Sequence, residues 1–97
     1  MNGAPLFDWN PPPTYPVGVP VEVCKHFEGL ALELHGLGFK RYSADAILHR
    51  IRWHMHVERG DLSFKCNDHW TAPLARWFLK NNPKAAGFFE LRERADA

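Results

Sequence analysis

Apolar residues recur at three- and four-residue spacing in three stretches of the chain and alternate with polar ones in two others, and this patterning predicts the elements. Val23, Phe27, Leu30, Ala31 and Leu34 mark a first helix over about 21–36, with Gly36-Leu37-Gly38 as its stop. The run from Lys40 to Arg59 holds a second, which Ser43 caps and which runs to about Val57. At 100° per residue, Ala44, Ile47, Leu48, Ile51 and Met55 fall on one side of it, and His49, Arg52, Trp53 and His56 fall on the other. A third helix covers about 72–81, with Thr71 as its cap and Pro73 in its first turn. Leu74, Trp77 and Phe78 point inward from it, and Arg76 and Lys80, four residues apart, share its outer side.

Between the second and third helices, Arg59-Gly60-Asp61 reads as a turn. Leu62, Phe64 and Cys66 then alternate with Ser63 and Lys65 as in a half-buried strand. Gly87-Phe88-Phe89-Glu90-Leu91-Arg92 reads as a closing strand that pairs with 62–66. The expected fold class is therefore α+β: a small three-helix domain with a two-stranded antiparallel sheet, related to a winged helix. The order departs from the standard one, in which a β-hairpin directly follows the third helix.

Six of the eight prolines lie in the first 20 residues, which predicts an extended, proline-rich arm over 1–20 ahead of a compact domain over 21–94 and a tail over 95–97. The arm carries Leu6, Phe7, Trp9 and Tyr15, too much apolar surface for a solvated linker, so it is expected to lie on its own domain, on a partner or on a second copy.

A chain of 97 residues makes one small domain with a modest core and no room for a deep substrate cleft. Its apolar runs fall short of the roughly 18 residues of a membrane span. The first residues lack the basic and apolar parts of a secretory signal, so the expected location is the cytoplasm. In a reducing compartment Cys24 and Cys66 are expected to be buried free thiols. The net charge of +1 hides a partition. Over 1–39 one cation stands against four carboxylates, and over 40–80 eight cations stand against four.

Cys24, His26, Cys66 and His69 are of the types that bind zinc, but Cys-x-His on a helix turns its side chains about 200° apart, so no metal site is expected. His54 and His56 diverge for the same reason. The chain has no glycine-rich phosphate loop, no nucleophile beside a base and no carboxylate pair in apolar surroundings. The expectation is a protein that is not an enzyme, without a cofactor or small-molecule substrate.

Tyr42-Ser43-Ala44-Asp45-Ala46-Ile47, Arg50-Ile51-Arg52-Trp53, Phe64-Lys65-Cys66-Asn67, Ala75-Arg76-Trp77-Phe78 and Gly87-Phe88-Phe89-Glu90-Leu91-Arg92 carry a resemblance to small uncharacterised proteins encoded by bacteriophages and prophages. It covers about residues 27–94. The resemblance implies a compact domain at work in a bacterial host cell, and regulation or interference with host proteins; it implies no catalytic residue.

Two functions are expected of the cationic, aromatic surface formed by His49, Arg52, Trp53, His56, Arg59, Arg76 and Lys80. The first is DNA binding, helix-turn-helix-like, with the second or third helix in a major groove. A homodimer would double the basic face. The alternative is an inhibitor or adaptor that docks on a host protein of defence or transcription, with Trp53 and Arg52 as anchors.

Overall fold

Three α-helices carry the fold of residues 15–90, which are the residues described by the computed structural model: α1, Val21–Gly36; α2, Ala44–Trp53; and α3, Thr71–Asn81. Each pair of helices is in contact, so they enclose one core. The helix periods allot its residues: Val23, Phe27 and Ala31 from α1, Ile47, Leu48 and Ile51 from α2, Met55 just beyond it, and Leu74, Ala75, Trp77 and Phe78 from α3 are buried. The expected inward stripes are thus the observed ones, with Ala44, Leu30 and Leu34 packed half-buried at their edges.

Local signals set the helix ends. The Ser43 hydroxyl accepts a hydrogen bond from the Ala46 N–H at 3.1 Å, which satisfies one of the free donors that open α2. After Gly36 the chain turns through Gly38 at φ +103°, and the Phe39 N–H returns to the Leu34 carbonyl at 3.3 Å. Thr71 does not cap α3. A 3-10 turn, Asp68–Trp70, precedes it, Asn67 caps that turn by accepting from the His69 N–H, and the Thr71 hydroxyl donates to Asp45 on α2 at 2.7 Å.

The two-stranded sheet does not form, and with it goes the winged-helix variant: the described residues contain no strand, and the fold is all-helical. Residues 62–66 alternate in sequence, yet the Asp61 carboxylate accepts from both the N–H and the hydroxyl of Ser63, curling the backbone into a turn. Leu62, which should face the core in a strand, is 82% exposed. In the closing segment Phe88 and Phe89 are both buried, whereas neighbours in a strand point to opposite faces. A 3-10 turn, Pro83–Ala85, and Gly87 at φ +85° bend this segment, and both rings are buried in the core. Its one backbone tie to another part of the chain among the described residues is Tyr42 N–H to Phe88 O, 3.0 Å, which fastens it to the α1–α2 link.

The two rings cap an aromatic cluster. Phe89 lies 5.3 Å from Phe27 and 5.4 Å from Phe78 by ring centroid, and Phe88 packs edge-on to Phe89 at 4.9 Å. Of the proline-rich arm, residues 15–20 are described. They hold a turn at Gly18, φ +84°, and Tyr15 packs on Trp77 with centroids 5.5 Å apart. Leu6, Phe7 and Trp9, the tail over 95–97 and the end of the expected closing strand lie outside the described residues.

Phe78→Ala empties the centre of this cluster and should cost about 3–5 kcal/mol of folding free energy. Ser43→Ala should cost about 1 kcal/mol. Urea denaturation followed by circular dichroism measures both, and equal costs would show that the aromatic cluster does not hold the core.

Candidate functional site

With the inner stripe of α2 committed to the core, geometry forces the residues half a turn away into solvent. Trp53 is 50% exposed, and His49 and Arg52 are exposed beside it, as the periodicity predicts. The Arg50 guanidinium lies over the Trp53 ring, 4.9 Å from its centroid. Such a contact covers one face of the indole and holds it in place at an exposed site, a cation–π pair worth about 0.5–1 kcal/mol. Val57, one turn further on, is also exposed, so the face has an apolar strip inside a cationic border.

Beyond Trp53 the helix widens. His54–Glu58 is a π turn, closed by the Arg59 N–H on the His54 carbonyl at 3.0 Å, and the Asp61 N–H reaches back to the Met55 carbonyl at 2.8 Å. Turns of this kind are rare and gather at functional sites. The two histidines of this turn, two residues apart, diverge. His54 turns toward α1 and meets His26, while the partly buried His56 places Nε2 2.8 Å from the Phe64 carbonyl. His56 is therefore a strut for the loop after Gly60, with little left for an interface. Arg59 is likewise engaged, in an ion pair with Glu22 of α1.

Arg76 and Lys80 are exposed on α3. Arg76 and His49 line one shallow depression of about 620 Å³ between α2 and α3, but Asp45, Asp68 and Glu90 line it too. Of the seven residues expected to form one surface, His49, Arg52 and Trp53 sit together, Arg76 and Lys80 stand on the next helix, and His56 and Arg59 serve the fold. Sequence reasoning missed Arg50 and Val57. Their signal was present in the spacing, since residues three before and four after Trp53 share its face.

Two carboxylates near the π turn are held below their ordinary range. A hydrogen bond from His54, with Arg50 nearby, lowers Glu58, and the Ser63 hydroxyl and N–H lower Asp61. Burial pushes the thiols of Cys24 and Cys66 up, so neither is a thiolate nucleophile near neutral pH. Cys24 faces the core and His26 faces the π turn, as helix geometry demands. Among the described residues no three His, Cys, Asp or Glu side chains gather as a metal would require, and no helix is long and apolar enough to cross a membrane. No protein-family profile, curated protein or solved structure matches the chain.

The Asp61 carboxyl should titrate below 3.8 and rise toward that value in Ser63→Ala, as followed by carboxyl carbon chemical shifts. Because the folded value is depressed, this contact stabilises at neutral pH and is lost as pH falls through it. An unchanged Asp61 titration in the variant would refute the turn described for 61–63.

Proposed function

We propose that this chain is a small helical docking domain that binds a protein partner through the outer face of α2. The observation that carries this reading is the half-exposed Trp53 ring, held under the Arg50 guanidinium and continued by exposed Val57. A rigid aromatic anchor with an apolar neighbour and a rim of Arg52 and His49 has the make-up of an interface hot spot. The cationic rim favours a partner that offers carboxylates around an apolar pocket. The resemblance to phage-encoded proteins directs the search for that partner to bacterial host proteins.

DNA binding is the second reading, and Arg76 and Lys80 favour it: both are exposed, and among the described residues neither lies within ion-pair distance of a carboxylate. Against it, Arg59 is neutralised by Glu22 and Arg50 faces Glu58 at 3.6 Å. The depression between α2 and α3 also carries three carboxylates that would repel phosphate.

A bacterial lysate passed over the immobilised protein, with and without nuclease, separates the two. The docking reading expects a protein species that survives nuclease and is lost with Trp53→Ala, whose melting temperature stays close to wild type. Against the purified partner, Trp53→Ala should cost about 2 kcal/mol or more of binding, about 30-fold in Kd. Retention that nuclease abolishes, with a salt dependence of DNA affinity whose slope falls by about one in Arg52→Ala and in Arg76→Ala, would overturn docking in favour of DNA.

A further inference from the structure

α1 and the π turn meet through two imidazoles. His26 and His54 lie with ring centroids 4.8 Å apart, tilted by 54°, and both are partly buried. His54 Nδ1 is 2.6 Å from Glu58 Oε1, and Arg50 stands 3.6 Å from the same oxygen. On α1, Glu22 and Lys25 share a surface depression with His26, but the Glu22 carboxylate is taken by Arg59. From α2 comes the positive Arg50, and from the π turn the negative Glu58. Of the two carboxylates near the pair, Glu22 is thus spent on Arg59 and Glu58 on His54 and Arg50, and among the described residues neither bonds to His26. An imidazolium at His26 has to form in a half-dry position against the ring of His54, with no carboxylate bonded to it.

We propose that the His26–His54 pair is a proton-sensitive latch between α1 and the π turn, closed while His26 is neutral and opened when His26 takes up a proton. Burial, then the charge of His54, hold the His26 imidazole below its ordinary 6.5, in keeping with this geometry. The sign follows. The unfolded chain takes up the proton first as pH falls, so the latch contributes its full stability above about 6.5 and loses it as pH drops through the lower, folded value of His26. The latch does not depend on the docking reading, because it concerns the α1–α2 seam and not the outer face.

The test is proton NMR titration of the histidine Hε1 signals in the full chain, with melting curves between about pH 7.5 and about pH 5, the range in which imidazoles titrate. His26 should titrate below 6.5 and move up toward it in His54→Gln. His54→Asn, which removes the same imidazole with a shorter amide, should raise it too, and it serves if His54→Gln fails to fold. The downward shift of melting temperature on acidification should shrink in His26→Gln. A His26 that titrates at its ordinary value and ignores both substitutions, or an acid shift undiminished in His26→Gln, overturns the latch.

Discussion

The structure depends on how one helix divides its residues. α2 touches both α1 and α3, and Ile47, Leu48, Ile51 and Met55 fill the space between them. Each buried aliphatic side chain of this size contributes about 1.5–3 kcal/mol by leaving water. Four of them on one stripe fix the rotation of the helix about its axis. No rotation keeps that stripe in the core and also hides Trp53, so exposure of the indole follows from burial of the isoleucines.

The rest of the fold steadies this arrangement. The Ser43 cap and the Thr71–Asp45 bond set the start of α2, and the Phe88–Phe89 bend closes the core beneath it. At the far end, their two-residue spacing sends His54 and His56 of the π turn to opposite neighbours: α1 on one side, the loop after Gly60 on the other. Arg50 links the two sides of the helix chemically. Its guanidinium covers Trp53 and also approaches the carboxylate that holds His54.

The helices were legible in the sequence because a 3.6-residue period of apolar side chains encodes them redundantly, and losing one position does not hide the pattern. The strands were not, because five alternating residues carry much less information. A carboxylate placed two residues before a serine turned 61–63 into a loop, and two adjacent phenylalanines that fit a strand by composition were both needed in the core. His49, Arg52 and Trp53 were readable from the helix wheel alone. The fates of His56 and Arg59 were not, since they depend on a backbone carbonyl eight residues away and on a glutamate thirty-seven residues away. Both engagements need the folded chain to be seen, and the second pairs off a cation of the surface that charge counting assigned to nucleic acid.

The division of α2 is tested most directly by fluorine NMR of protein labelled with 5-fluorotryptophan, resonances being assigned by substitution of single tryptophans. The Trp53 signal should show a large solvent-isotope shift between light and heavy water, and that of Trp77, buried under Tyr15, should show almost none. A Trp53 signal as shielded from solvent as Trp77 would mean that the indole is covered in the free protein, and the outer face of α2 would have nothing to dock with.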